Sequence, residues 1–223
     1  MATSSLVRRN TRSRRGFSLV EMMCVLAVVS VLASLIWPAV VGMVAGDRLS
    51  NNAYMLSNVL QQARATAIAR HTYVWVGFQS YNDANGVPAV MVASVAGNSG
   101  QTSDLPANTV LTEKPTILKN VALTAQTNYQ ILPGYDSSVT TQDVASQGYS
   151  FQISVAGNAN TTFGDVIAFG PDGQVNLAQA SSGTLQLVQC LGMGLQQAPS
   201  STKLHVAAIQ VRGLSGEVSV LRQ

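Results

Sequence analysis

Few side chains in this 223-residue chain are of types that carry out chemistry, and their spacing argues against most reactions. The two histidines, His71 and His205, stand in no metal-ligand spacing, and no HExxH, GxSxG, CxxC or phosphate-loop pattern occurs. His71 falls where a helical pattern gives way to a strand pattern, a position that fits a C-terminal cap. His205 alternates with strand residues and reads as solvent-facing or satisfied. Asp165 and Asp172 bracket a turn and make the best case for a calcium-binding pair, but two carboxylates without further acids are too few, so no metal site is assigned. Cys24 lies in an apolar run and Cys190 in a strand-like segment. No disulfide between them is expected, and Cys190 reads as a small buried hydrophobe. The chain is expected to be neither an enzyme nor a cofactor binder. One acid remains out of place: Glu21 is the only Asp, Glu, Lys, Arg or His in residues 17–46.

Glu21 directs attention to the segment that holds it. Thirty residues of this composition form a helix long enough to cross a hydrocarbon core of about 30 Å. Arg8, Arg9, Arg12, Arg14 and Arg15 precede the segment and the next basic residue after it is Arg48, which predicts a cytoplasmic N-terminus and an exported remainder. A carboxylate near the centre of such a span costs about 2.5–3.5 kcal/mol on insertion scales, so Glu21 calls for a partner. Cleavage after Gly16 would create one, an α-amino group on Phe17 about one helical turn away.

The run Arg14-Arg15-Gly16-Phe17-Ser18-Leu19-Val20-Glu21-Met22-Met23 resembles the leader and processing site of type IV prepilins and type II secretion pseudopilins. The resemblance implies that a prepilin peptidase cuts between Gly16 and Phe17 and methylates the new amine of Phe17. It also implies that Glu21 recognises the N-terminus of an adjacent subunit during assembly. Pro38 falls where many pilins carry a helix-kinking proline. The implied partners are the peptidase, other pilins or pseudopilins of the filament, an inner-membrane assembly platform, and lipid through residues 17–46. The implied location is the bacterial inner membrane, single-pass, with a periplasmic C-terminal domain that can be drawn into a filament.

Beyond Asp47 the pattern changes. Leu49, Ala53, Leu56, Leu60, Ala63 and Ala67 alternate in steps of four and three, with Ser50, Asn51, Asn52, Ser57, Asn58, Gln61 and Gln62 on other faces, which predicts an amphipathic helix ending near Arg70. From Thr72 on, short β-branched and aromatic runs are punctuated by Gly, Asn, Ser and Pro, and no second helix is expected. Strands are expected at 73–81 and 87–95, joined as a hairpin, and at 121–125, 149–155, 166–169, 185–190, 204–211 and 218–221. Segments 97–109 and 134–147 read as loops, mobile or exposed. The fold class is therefore α+β, a long N-terminal helix packed on an antiparallel sheet or a two-sheet β domain. The divisions are a leader over 1–16, a membrane half over 17–46, an amphipathic half over 47–70 and a globular domain over 71–223.

A finer resemblance lies in the second half. Tyr73-Val74-Trp75-Val76, then Ile167 to Gly173, then the closing hairpin from Ile209 to Val218, are similar to the H-type minor pseudopilins and FimT-like minor pilins. FimT-like proteins bind DNA through clustered arginines, which raises DNA uptake as an alternative to a structural role. From Asp47 onward, however, eight basic side chains face nine acidic ones, and Glu217 stands where that pattern would place a base. Phosphate neutralisation dominates nucleic-acid affinity, so Lys203, Arg212 and Arg222 are poorly suited to the task. The structural role is the expected one.

Overall fold

The computed structural model describes residues 18–105, 108–139, 141–144, 150–155, 158–178, 185–197 and 205–222, apart from the side chains of 35–47, 155, 158–160 and 178. The chain divides into two units, Met1–Met43 and Val44–Gln223.

Helix α1 (Leu19–Arg70) begins in the first unit. Its portion in the second unit carries the predicted stripe, and Leu49, Ala53, Leu56, Leu60, Ala63 and Ala67 are all buried in the main core. The sheet covers more of the helix than that stripe. Asn52 and Ser57, expected on other faces, are buried, and the Asn52 amide donates to the Lys119 carbonyl at 2.9 Å. The helix ends where expected. The N–H of Thr72 bonds to the Ala67 carbonyl and that of His71 to the Ile68 carbonyl, while His71 adopts φ 50°, which is a left-handed C-terminal cap.

The rest of the second unit is built from β-strands. One sheet joins β1 (Val74–Asn82), β2 (Pro88–Gly97), β3 (Thr109–Leu111), β4 (Thr116–Lys119), β7 (Phe151–Val155), β8 (Asn158–Phe169), β9 (Val175–Ala178) and β10 (Leu185–Leu187). Its central order is β10-β9-β8-β1-β2-β3, with β4 on β2 and β7 on β8, and every pairing is antiparallel. The second sheet joins β5 (Val121–Thr124), β6 (Thr141–Asp143), β11 (Cys190–Gln197), β12 (Val206–Arg212) and β13 (Val218–Arg222) in the order β13-β12-β11-β5. There β6 pairs with β11 in parallel, the one exception to the antiparallel rule among the described pairings. Val76, Phe78, Ile167 and Leu177 of the first sheet and Leu191, Met193, Ile209 and Val211 of the second share one core with the α1 stripe.

The expected hairpin forms as β1 and β2, paired from Val74↔Ala96 to Asn82↔Pro88. Other expectations need correction. The run 185–190 is not one strand: β10 ends at Leu187 in the first sheet and β11 begins at Cys190 in the second. Residues 188–189 carry the chain between them, and Gly213 N–H donates to the Gln189 carbonyl at 2.9 Å there. A Cβ on Gly213 would lie 1.5 Å from the Val188 oxygen, so only glycine fits this crossing. A second helix of one turn, α2 (Gln126–Tyr129), does exist. Segments 97–109 and 134–147 are not simply exposed loops, because Asp104, Leu105 and Val144 are buried and 141–143 is strand.

Candidate functional site

The first candidate is the start of α1. Met22 N–H closes the first turn on the Ser18 carbonyl at 3.1 Å, which places Glu21 in that turn, where the helix dipole favours a negative charge. The aliphatic side chains from Leu19 to Leu32 are between 51% and 76% exposed. The hydroxyls of Ser30 and Ser34 donate back to the carbonyls of Leu26 and Val31, at 2.7 Å each. The described part of this surface therefore satisfies its own hydroxyls and presents apolar groups with a single carboxylate. Gly16 and Phe17 lie outside the described residues. Pro38 falls within α1, which runs past it as helix, and its side chain also lies outside them. Among the described residues no helix is long and apolar enough to cross a membrane.

In the body the structure scatters the other residues singled out in the sequence. Asp165 sits at φ 51° in an irregularity of β8, between the pairs Val76↔Ile167 and Phe78↔Gly164. Burial, and then the charge of Asp143, raise its carboxyl above the usual range. Of the carboxylates, it is Asp143 on β6 whose charge Asp165 feels. Among the described residues no group of three or more His, Cys, Asp or Glu side chains is arranged to hold a metal ion. Cys190 is buried and both cysteines are free, with burial pushing the Cys190 thiol up. Arg212 faces Glu217 at 3.7 Å, and the Arg222 guanidinium lies 5.8 Å from the Tyr54 ring centre and donates to Ser50 at 3.3 Å. Lys203 lies outside the described residues.

Two buried polar groups were missed in the sequence. Tyr129 on α2 is fully buried, and its hydroxyl donates to Asp143 Oδ1 at 3.3 Å while Gln126 N–H donates to Oδ2 at 2.9 Å. Burial above all, then the Asp143 charge, holds the phenol well above its usual pKa. The ring lies against Gly192 and Gly194 of β11, where a Cβ would come within 2.7 and 2.3 Å of it. The Gly-x-Gly spacing in a strand was a readable signal that another group packs against that face. Asp104 accepts from Ser99 N–H, the Gly100 N–H and the Asn108 amide. The Ser99 hydroxyl bond leads the causes that lower its pKa. These contacts tie Ser99, Gly100 and Asn108 to Asp104.

An exposed apolar helical start leading into a helix packed on antiparallel sheets is an α+β architecture consistent with a pilin-like fold. Residues 11–37 match the family model described as the prokaryotic N-terminal methylation motif. No curated protein and no solved structure matches the chain. The motif contains Gly16, Phe17 and Glu21, and it supports a type IV pilin-like filament subunit that is processed by prepilin peptidase and anchored by its N-terminus.

Proposed function

We propose that this chain is a minor pseudopilin or pilin, a structural subunit that enters or primes a type II secretion pseudopilus or a type IV pilus-like filament. In this reading the peptidase cuts between Gly16 and Phe17 and methylates the Phe17 amine. Residues 17–46 anchor the mature chain in the inner membrane with the body in the periplasm, and Glu21 pairs with the Phe17 amine of a neighbouring subunit. Pro38 and Gly42 soften the helix where it leaves the bilayer. The observation that carries the proposal is the methylation motif placed at the head of a helix whose later turns form the core of a β-rich body. The likeness to H-type minor pseudopilins and FimT-like minor pilins rests on the sequence of the β portion. The engagement of Arg212 by Glu217 and of Arg222 by Tyr54 supports the structural role over DNA uptake.

Intact-mass analysis of membrane-extracted protein tests the processing step. The wild type is expected to have lost residues 1–16 and gained one methyl group. Replacing Gly16 by a bulky residue, as in Gly16→Leu, is expected to leave the full precursor in the membrane. A wild-type mass that retains the leader in a peptidase-positive host would refute the proposal.

A further inference from the structure

The outer face of the second sheet, opposite α1, is only partly covered. Tyr129 lies over Gly192 and Gly194, and Tyr129 and Leu132, with Tyr135 and Leu221 beside them, pack with Val206 and Ala208. Past that cover the same face opens into a cleft of about 850 Å³, walled by the 134–139 segment, the 187–190 crossing and the turn after β12. This volume is that of an ordinary ligand site. Gln210, on β12, is 5% exposed and lines the cleft, and its Nε2 has no hydrogen-bond partner among the described residues. Its strand neighbours are Gly192, which has no side chain, and Ser219, whose hydroxyl donates to Gln210's own carbonyl at 3.3 Å. A buried amide donor held without an acceptor weakens a fold, so its retention here calls for an acceptor brought from outside.

The rim narrows the chemistry of that acceptor. Leu187 and Leu214 are 47% and 76% exposed, which gives the mouth an apolar edge. Among the described lining residues Arg212 is the one basic side chain. It is already paired with Glu217, and Asp136 lines the cleft with it and has its carboxyl held below the usual range, chiefly by the Ser138 hydroxyl. Among the described lining residues one acid, Asp136, balances one base, Arg212, so the cleft favours an uncharged ligand. A neutral carbonyl flanked by aliphatic groups satisfies both the donor and the rim, and the backbone and side chains of an extended peptide have that composition. The adjoining strand favours the peptide further. Ser219 and Leu221, two residues apart on β13, both line the cleft. An extended peptide laid over this face along β13 would place alternate side chains beside those two residues.

We infer that this cleft is a docking site for an extended, uncharged, aliphatic peptide segment of another protein, with a backbone carbonyl accepting from Gln210 Nε2. The inference does not depend on the filament reading. The test uses the full chain in lipid nanodiscs and fluorescence anisotropy of labelled, end-blocked pentapeptides, acetyl-Thr-X-Leu-X-Thr-amide with X being Val, Ile or Phe. Saturable binding is expected, weakened about tenfold or more by Gln210→Leu or by Leu214→Asp, because a site built to donate to a ligand discriminates strongly when that bond is lost. Gln210→Leu is also expected to raise the melting temperature, since it replaces an unpartnered donor by an apolar group of similar size. A Gln210 with a purely structural role would lower it. Absence of binding to the wild type, equal binding by both variants, or a lowered melting temperature in Gln210→Leu would overturn the inference. So would displacement of the peptides by a neutral monoacylglycerol that binds more tightly, which would make the cleft a lipid site.

Discussion

Helix α1 carries two apolar surfaces of similar residue types with opposite fates. From Leu49 to Ala67 the stripe is between 0% and 6% exposed, because two sheets of the same chain close on it. From Leu19 to Leu32 every large aliphatic side chain is at least half exposed. Composition does not separate the two surfaces; what separates them is who supplies the environment. The later stripe finds its solvent-excluding partner in its own chain, and under the proposed function the earlier one finds it in lipid or in other subunits. The largest effect that tests this contrast is a pair of matched truncations. Leu60→Ala is expected to destabilise the body by about 2–5 kcal/mol, the range for a buried leucine whose cavity cannot collapse. Leu26→Ala is expected to leave the unfolding transition of the detergent-extracted chain unchanged. Equal losses from both would refute the contrast.

Two acids lie out of place, Glu21 on the early surface of α1 and Asp165 on β8 of the body, and they sharpen the contrast at a smaller scale. Asp165 is desolvated by its own fold and repelled by Asp143, so its folded pKa is raised. A raised acid stabilises the fold only below its unfolded pKa, near 4, and that contribution is lost as pH climbs through the folded value. Asp165→Asn is therefore expected to be more stable than the wild type at neutral pH. Asn also accepts the left-handed backbone that Asp165 adopts at φ 51°. The advantage should shrink below pH ~4, where Asp165 is neutral in both states. Asp104 and Asp136, whose pKa values are lowered, act in the opposite direction, but they are present in both proteins and cancel in the difference. Thermal unfolding across this pH range is the measurement, and a variant less stable than the wild type at pH 7 would contradict the assignment.

What was legible in the sequence follows the same division. The methylation motif is a contiguous word, so the match over residues 11–37 could be read without any fold. The α1 stripe was legible because a helix buries residues at a fixed period, and all six stripe residues are in the core. Asn52 and Ser57 were misread because the period locates the centre of a buried face and not its width, and here two sheets widen it. The run Leu185–Cys190 was read as one strand because its apolar residues are continuous. The break comes from Gly213, far along the chain, which lets the backbone cross to the second sheet. The Gln210 cleft was not legible at all, since it joins segments near 134, 188, 212 and 220 that share no local pattern.

The smallest expected effect on folding belongs to Glu21, and it is the one on which the functional contrast turns. Glu21 lies in the first turn of α1 on the exposed apolar surface, and among the described residues it forms no ion pair. If its partner is the Phe17 amine of a neighbouring subunit, removing the carboxylate costs the isolated chain nothing in stability. Insertion becomes easier, because a charge is removed from an apolar span. Glu21→Val is therefore expected to leave leader cleavage, membrane extraction and the unfolding transition of the body as in the wild type. Its effect should appear only between chains, as a lower yield of cross-links to the major subunit in membranes. Glu21→Asp keeps the charge but shortens its reach, and should fall between the two. Cross-link yields equal in Glu21→Val and the wild type would remove Glu21 from assembly, leaving the exposed apolar surface alone to recruit the neighbouring subunits.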